Sequence, residues 1–562
     1  MPESENPTQS GVDTANSNAL YDGRELESTG TEPGRGDAPD IPNSNGRPNE
    51  DEIENPERPK GIRFAVLFCC ILLGDFFVGY DSSCVATLAP VITDQFNSLN
   101  QVGWYGTSYL LASCATILIY GQLYSYYSMK ANYEIAFLIF VLGSVVTAAA
   151  PSSAIFIFGR ALSGLGSAGV FAGSSIIVAN STSLKHRPIY QAMSGGVESI
   201  ALALGPLISG AVSHGSSWRV SFYIIIPVGI ACIVSVFFFV HNLQRPENAD
   251  LSNNEKLRKL DLVGFAIYVP TVICFILGLQ WAGSEYPWGN WRIILLLVLA
   301  AVLAVAFFAT EYGAGDDGMF PLKMLRQRTV WLSSAYTFCN SAGLFVVAYY
   351  LPIYFQAVRG QTTLGSGLWY LPTALSFALA ILAAGPATSF VGYYNPMLII
   401  GSVLMAVGTG LMTTCTPHTP LGQWIGYQIL YGVGCGLAFQ QPYTAVQIVL
   451  PEDRVPTALV TLSFTQEIGG IVALSVAQNV YVNRLAHQLA TQVPGLDSGI
   501  VLNNGALGII DKVPPEFREQ ALNAYSAAII DVFYIALGLT CLTCLLALGF
   551  QWRSVKEDKK DE

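Results

Sequence analysis

The residues best placed to do chemistry are charged side chains inside long apolar segments. Arg160 lies in the apolar run 154–179, and Asp75 and Asp81 lie in the run 63–88. A charged side chain inside a bilayer costs at least ~2.5–3.5 kcal/mol, so each needs a partner or a task. We expect Asp81 to be the first choice of partner for Arg160 and Asp75 the second. Such a pair could lock two helices together, or its carboxylate could bind and release a proton.

Two further carboxylates, Glu198 and Glu467, occupy the apolar runs 190–212 and 457–481. Each is a candidate protonation site. Each could instead reach an aqueous surface and remain ionised there. The sequence does not decide which carboxylate would carry a coupling proton, so the candidates for proton coupling form one set: Arg160, Asp81, Asp75, Glu198 and Glu467.

Amides and aromatic side chains supply the candidate contacts to a solute. Gln440 and Gln441 stand beside Pro442 in an apolar run, where amides can hydrogen-bond a solute without a fixed charge. Such a cavity suits a bulky, mostly neutral organic compound, although the same amides could bond only to neighbouring helices. The predicted substrate-binding residues are Tyr109, Tyr349, Phe439, Gln440, Gln441 and Gln466.

The stretch 194–212 is rich in small residues. Ala201, Gly205 and Ser209 recur at every fourth position, so one helical stripe could let a neighbouring backbone approach closely. A proline inside a helix removes a backbone hydrogen bond and predicts a kink. We predict that the stretch 194–212 forms a hinge and seal at the interface between two halves of the molecule, with Gly205, Pro206 and Gly210 as its hinge residues.

The elements that carry these residues are membrane helices. Hydrophobic residues make up 52% of the 562 residues and charged residues only 12%, against roughly 25% charged in soluble domains. A span needs roughly 20 apolar residues, which predicts an all-α integral membrane protein. The fourteen predicted spans are 63–88, 103–123, 132–150, 154–179, 190–212, 221–241, 262–282, 291–310, 330–356, 366–388, 395–415, 422–449, 457–481 and 526–550.

An internal repeat groups these spans into two halves. The glycine-rich stretch around Gly164 aligns with that around Gly432, and Pro188 then aligns with Pro456. Parallel repeats of this kind are typical of transporters whose substrate site lies between the halves. The predicted organisation is a disordered cytosolic tail (1–60), a six-helix half (61–245), a two-helix insert (246–325), a second six-helix half with an external loop at about 482–525 (326–552), and a cytosolic tail (553–562).

The distribution of charge and motifs bounds location and partners. Most lysines and arginines fall in alternate loops, which predicts that both termini lie in the cytosol. We expect the plasma membrane, with vacuolar or vesicle membranes as alternatives. The sequence has no ATP-binding loop, no basic patch for nucleic acid, and no catalytic or metal-binding constellation. We therefore expect a monomeric, non-enzymatic protein without cofactor or metal, whose partners are the lipid bilayer, protons and a small molecule.

Several segments resemble the major facilitator superfamily, and specifically its fourteen-span drug:proton antiporter branch. The run from Asp81 to Pro90 is similar to the branch's first-span signature, and 158–166 is similar to its fourth-span motif, whose arginine is implicated in proton coupling. Gly205-Pro206 resembles the fifth-span antiporter motif. Ser125 stands where the family usually has an aspartate after the second span, which weakens one charge relay on the cytosolic side.

The resemblance implies the major-facilitator fold and a proton-coupled antiporter that exports a bulky organic compound such as a secondary metabolite, toxin or drug. Segments such as Trp104-Tyr105-Gly106 are similar to fungal efflux transporters. Two alternatives stay open at this point. One is a proton-coupled importer of a nutrient or an iron chelate, and the other is a substrate sensor that does not transport.

Overall fold

Helices make up nearly all of the described chain, because apolar segments of this length satisfy every backbone polar group within themselves. The computed structural model describes residues 61–96, 98, 101–239, 255–256, 259–283, 286–315, 318–320, 322–492 and 515–556. Within these ranges the only β-pairings are two isolated bridges. The predicted tail 1–60 lies outside the described residues.

The first group of helices covers the first predicted half. Its helices are α1 (Ile62–Phe96), α2 (Val102–Tyr126), α3 (Met129–Ala149), α4 (Ser153–Ser181), α5 (Arg187–Gly215), α6 (Val220–Tyr223) and α7 (Ile225–Phe239). We call the end of the bundle where α1 begins the terminal side, and the end where α1 stops the far side.

The insert and the second group follow. The insert consists of α8 (Leu262–Trp281), α9 (Trp291–Ala314) and the short α10 (Leu322–Leu325). The second group is α11 (Arg328–Ala357), α12 (Thr363–Val391), α13 (Asn395–Met412), α14 (Leu421–Phe439), α15 (Gln441–Val449), α16 (Val455–Gln492) and α17 (Arg518–Leu548).

Twelve of the described helices are long and apolar enough to cross a membrane. The other two predicted spans, 103–123 and 422–449, coincide with α2 and with the pair α14–α15. Those segments are more polar, and the second is divided in two, so the count of fourteen spans stays a prediction. The all-helical, multi-span class of the fold is confirmed.

Packing follows the same plan in both groups. In the first group α1 packs on α5, α2 on α4, and α3 on α4. The corresponding pairs of the second group, α11–α16, α12–α14 and α13–α14, also pack together. The two groups meet through α5 against α12 and α2 against α16. The correspondence that pairs α2 with α12 and α5 with α16 also relates these two contacts to each other.

Aligned glycines explain why the corresponding pairs pack so closely. A Cβ on Gly164 of α4 would overlap the backbone carbonyl oxygen of Tyr109 in α2. A Cβ on Gly432 of α14 would lie 2.6 Å from the carbonyl oxygen of Thr373 in α12. Because only glycine leaves room for backbone at this distance, the repeat in sequence produces a repeat in packing.

The small-residue stripe of α5 packs against a helix of the same half. Gly205 lies against α1, where an added Cβ would meet the side chain of Ser83 and lie 3.2 Å from the carbonyl oxygen of Tyr80. Ser209 likewise donates to the carbonyl of Cys84 at 3.5 Å. The stripe therefore seals α5 to its own half. The period of four fixes a face of α5 but does not name its neighbour, and the hinge role of the stretch 194–212 stays a prediction.

The connection between the halves lies earlier in α5. A Cβ on Gly195 would lie 3.0 Å from Cδ1 of Ile381 in α12, and Gly196 faces Leu382. The helix itself continues unbroken from Arg187 to Gly215 with Pro206 inside it. The predicted hinge therefore does not interrupt the helix.

Two predicted boundaries are corrected by packing. Helix α16 continues to Gln492, well into the predicted external loop, because Leu485 and Leu489 stand one turn apart and are both buried. The rest of that loop, up to residue 514, lies outside the described residues. At the other end, residues 553–556 are held rather than free: Val555 donates its backbone N–H to the carbonyl of Gly392 at 2.8 Å.

The close approaches predict unequal tolerance of the same substitution. Gly164→Ala places a methyl group on a backbone carbonyl that cannot move aside, and such overpacking costs about 1–3 kcal/mol. Gly205→Ala meets first the hydroxyl of Ser83, which can rotate. We expect the melting temperature in detergent to fall clearly for Gly164→Ala and little for Gly205→Ala. Equal losses would contradict this account of the two sites.

Candidate functional site

The ion pair predicted in the first half is present. Nη1 of Arg160 donates to Oδ2 of Asp81 at 2.6 Å, and both side chains are completely buried. Nε of the same arginine donates to the backbone carbonyl of Tyr105 at 3.2 Å. The guanidinium also lies over the ring of Tyr109, 4.4 Å from its centroid. The pair therefore joins α1 to α4 and is supported by α2.

Asp75, the second-choice partner, is not part of this pair. Its Oδ2 accepts a short hydrogen bond from the hydroxyl of Ser194 in α5. Its Oδ1 is buried and has no hydrogen-bond donor among the described residues. Asp75 therefore links α1 to α5 through a neutral hydroxyl and carries no cationic partner.

A small cavity lies where the two halves meet. The cavity volume that the centre of a water molecule can occupy is about 10 Å³. This is close to the minimum volume that holds one water molecule. Five helices contribute to its wall: α4, α5, α14, α15 and α16. The lining residues are Phe171, Ser175, Ser194, Gly195, Glu198, Phe439, Gln440, Tyr443 and Gln466.

Glu198 brings a carboxylate into this cavity, and two others lie near it. Asp75 of α1 bonds to Ser194, which lines the cavity, and Glu467 of α16 directly follows the lining residue Gln466. Glu198 and Glu467 take part in no hydrogen bond or ion pair within the ranges that the structure describes. Three acids from three helices thus converge on the meeting point of the halves, without a lysine or arginine to neutralise them.

A break between α14 and α15 shapes one wall of the cavity. Pro442 has no backbone N–H and its ring disfavours helix in the preceding turn, so the helix stops at Phe439 and resumes at Gln441. Gln440 occupies the break and its side chain lies against Gly195 of the other half. Discontinuous helices of this kind line the substrate sites of transporters.

The structure brings together half of the predicted substrate-binding residues. Phe439, Gln440 and Gln466 line the cavity, and Gln466 accepts a hydrogen bond from the hydroxyl of Tyr443 at 2.9 Å. Gln441 points elsewhere: its Oε1 accepts from the hydroxyl of Thr388 at 3.1 Å. The remaining two predicted residues, Tyr109 and Tyr349, do not line this cavity.

Some lining residues were absent from our predictions. Ser194 stands four residues before Glu198, so a helical period places both on one face of α5. That spacing could have revealed Ser194. Phe171 and Ser175 show the same spacing in α4, but serines and phenylalanines are common in spans and gave no separate signal.

The halves are joined tightly on the terminal side of the cavity. Nη2 of Arg187 at the start of α5 lies 3.3 Å from Oε1 of Glu452, which follows α15. The hydroxyl of Ser389 in α12 donates to the carbonyl of Lys185 at 2.8 Å. A Cβ on Gly385 would lie 3.0 Å from the Cα of Ile189. This side of the interface is therefore closed.

No group of three or more His, Cys, Asp or Glu side chains suited to a metal ion occurs in the described part of the chain. The chemistry available at this site is that of carboxylates, amides and aromatic rings. Such groups can bind a proton or a neutral solute and exclude bulk water.

Comparison with known proteins identifies the family to which the chain belongs. The family model of the Major Facilitator Superfamily matches residues 71–474. The chain is 38% identical over 529 residues to "MFS-type efflux pump MFS1" of Trichophyton rubrum, covering 94% of this chain and 99% of that protein. It is 39% identical to "Efflux pump aflT" of Aspergillus parasiticus, covering 91% and 99%.

A solved structure shows the same architecture. The fold matches that of the proton:xylose symporter XylE with a TM-score of 0.56 over 88% of this chain and 97% of that one, at 14% identity. Similarity at this level of identity speaks for the fold alone. Because the family model spans most of both halves and relatives match nearly end to end, the chain belongs to the major facilitator superfamily, a family of membrane transporters rather than enzymes.

Proposed function

We propose that this protein is a proton-coupled antiporter that exports a bulky organic compound, such as a secondary metabolite, toxin or drug. One observation carries the proposal: Glu198 lines the cavity between the halves, with Asp75 and Glu467 close by and no cation beside them. Carboxylates in an apolar surrounding favour the protonated form, because burial disfavours charge. A change in access to either side can then drive proton binding or release.

The Arg160–Asp81 pair serves this cycle from the neighbouring helices. It holds α1, which carries Asp75, to α4, which lines the cavity. Movement of α4 relative to α1 would weaken the 2.6 Å contact and leave two buried charges unpaired. We infer that the pair couples the position of α4 to the charge state of α1. Any one of the four carboxylates, of Asp75, Asp81, Glu198 or Glu467, can be the proton carrier.

The solute and the direction of transport are inferred from relatives and from cavity chemistry. Two relatives are named efflux pumps. Amide and aromatic side chains line the cavity, which suits a mostly neutral organic compound. A bulky solute exceeds the present space, so it must bind when α5 and α12 move apart. We place the protein in the plasma membrane with both termini in the cytosol. The terminal side of the bundle is then the cytosolic side.

A transport assay with one substitution tests the proposal. Inside-out vesicles with an imposed proton gradient should accumulate a candidate metabolite. Glu467→Gln, which mimics the protonated side chain, should reduce this gradient-driven accumulation by at least about tenfold, as expected for loss of a coupling of a few kcal/mol. Solute exchange without a gradient should persist, because the cavity wall is kept.

Glu134→Gln in α3 is the matched control. Glu134 is paired with Lys130 at 3.9 Å and is away from the cavity, so gradient-driven accumulation should be unchanged. Accumulation only in right-side-out vesicles would instead support import and contradict export. Full gradient-driven accumulation by Glu467→Gln, Glu198→Gln and Asp75→Asn would contradict proton coupling through these carboxylates.

Substitutions at the Arg160–Asp81 ion pair should separate an effect on stability from an effect on transport. Arg160→Met leaves the buried Asp81 charge without a partner, which should cost about 3–5 kcal/mol and lower the melting temperature. Arg160→Met combined with Asp81→Asn removes both charges and should restore most of that loss, yet stay inactive in gradient-driven transport. Full transport by the double variant would show that the pair is only a structural contact.

The closure on the terminal side gives a further prediction. Arg187→Glu places two acids opposite each other at Glu452 and should favour opening of this side. A thiol introduced by Ser389→Cys should then react faster with a reagent added from the terminal side. Combining Arg187→Glu with Glu452→Arg should slow labelling again. Arg328→Glu, at an exposed arginine on the same side, is the control; an equal increase there would refute a specific role for the pair.

A further inference from the structure

The turn between the two long helices of the insert holds an asparagine of the second half. This turn joins α8 to α9 on the far side, and we call residues 281–283 and 286–290 the insert turn. Nε1 of Trp288 donates to Oδ1 of Asn479 in α16 at 2.5 Å. Nδ2 of Asn479 donates in return to the backbone carbonyl of Ala282 at 3.4 Å. The insert therefore holds both ends of this amide.

The shape of the insert turn fits the asparagine. Gly283 has a φ of +77°, a left-handed conformation that other residues rarely adopt. A Cβ at Gly283 would also overlap Oδ1 of Asn479. The turn is fixed internally, because the N–H of Gly283 donates to the carbonyl of Tyr286 at 2.8 Å and Nη1 of Arg292 donates to the Tyr286 hydroxyl at 2.5 Å. The insert turn is thus preformed around the Asn479 side chain.

Helix α8 is attached to the first half through α2. The hydroxyl of Tyr268 donates to the carbonyl of Cys114 at 2.6 Å in the buried interior. Nearer the far side, the hydroxyl of Thr107 donates to Oε1 of Gln280 at 2.5 Å. Helix α8 also packs more extensively on α2 than on α16. We therefore expect the insert to move with the first half.

The contact at Asn479 spans the boundary between the halves. Helices α2 and α16 belong to opposite halves and pack on each other, and α8 lies against both. Transporters of this architecture open by rocking one repeat against the other around a central site. The Arg187–Glu452 pair already closes the terminal side. When α2 and α16 part on the far side, the insert turn is drawn away from Asn479, because the insert follows α2.

The contact lies where it can break and form again. Trp288 is 46% exposed, and it stands at the end of two spans, where the membrane meets water. Water can therefore take over the hydrogen bonds of Asn479 when the insert turn withdraws. A hydrogen bond exchanged with water in this way contributes modestly to stability. Such a contact shifts the balance between two conformations without preventing either.

We propose that the insert is a latch on the far side of the protein. With Asn479 held in the insert turn, α2 and α16 stay together. Release of Asn479 accompanies opening towards the far side. The two additional helices thus set how often this side opens. The inference concerns the conformational cycle alone, so it holds for any solute, coupling ion or direction of transport.

Thiol labelling tests the latch without a solute or a proton gradient. Ser175→Cys places a thiol in the cavity, and sealed vesicles with the far side outward receive a membrane-impermeant, cationic methanethiosulfonate. The labelling rate, after subtraction of labelling at the native cysteines, measures opening of the far side. Asn479→Ala and Trp288→Phe should each raise this rate about three- to tenfold, as expected for the loss of one or two hydrogen bonds. The double variant should not exceed Asn479→Ala, because both substitutions break the same contact.

Two control variants test whether the effect is specific to the latch. Asn483 stands one turn further along α16, and its Nδ2 donates to the backbone carbonyl of Asn479 at 2.8 Å. Thr107→Val removes a bond between the insert and its own half. Asn483→Ala and Thr107→Val should leave the labelling rate from the far side unchanged. A rise with either variant equal to that of Asn479→Ala would overturn the proposal.

Labelling from the terminal side distinguishes an open latch from a loosened fold. In vesicles of the opposite orientation, Asn479→Ala should leave the labelling rate of Ser175→Cys unchanged or lower it, because a latch variant favours only the form that is open on the far side. A destabilised protein should be labelled faster from both sides. A rise from both sides, or no rise from the far side, would show that Asn479 does not act as a latch.

Discussion

A charge inside an apolar bundle must find a partner, and this constraint organises the molecule. Arg160 and Asp81 solve it by pairing at 2.6 Å. Asp75 solves it with a serine hydroxyl from α5. Glu198 and Glu467 have neither, and they stand where the two halves meet around a small cavity. The cost of burying charge thus separates two kinds of acid. Asp81 and Asp75 hold helices together, whereas Glu198 and Glu467 are available to respond when their surroundings change.

Much of the fold followed from the sequence because apolar length and repeats are strong signals. Lengths of apolar runs gave the helices, and Gly164 with Gly432 gave the correspondence between halves. The partner of Arg160 could also be predicted, since Asp81 and Arg160 lie at similar depths in neighbouring spans. Such predictions need only the position of each residue along the membrane normal.

The rest depended on which faces meet, which a single sequence does not encode locally. The stripe at Gly205 was recognised as a contact surface, but its neighbour could not be named from the sequence, because α1 and α12 both pack on α5. Gln440 and Gln441 were indistinguishable in sequence, and only the break before Pro442 turns the first into the cavity and the second towards Thr388.

Several of the closest approaches between the halves occur at glycine, and this bears on how readily those contacts open. An added Cβ on Gly385 would overlap the backbone at Pro188, and one on Gly195 would overlap the side chain of Gln440. An added Cβ on Gly121 would lie 3.2 Å from the side chain of Val460. Hydrophobic attraction scales with apolar area, at roughly 25 cal/mol per Å², and glycine contributes little such area. Separating the surfaces at these glycines therefore exposes little hydrocarbon to water. Contacts of this kind can be tight in geometry and still open and close at small energetic cost.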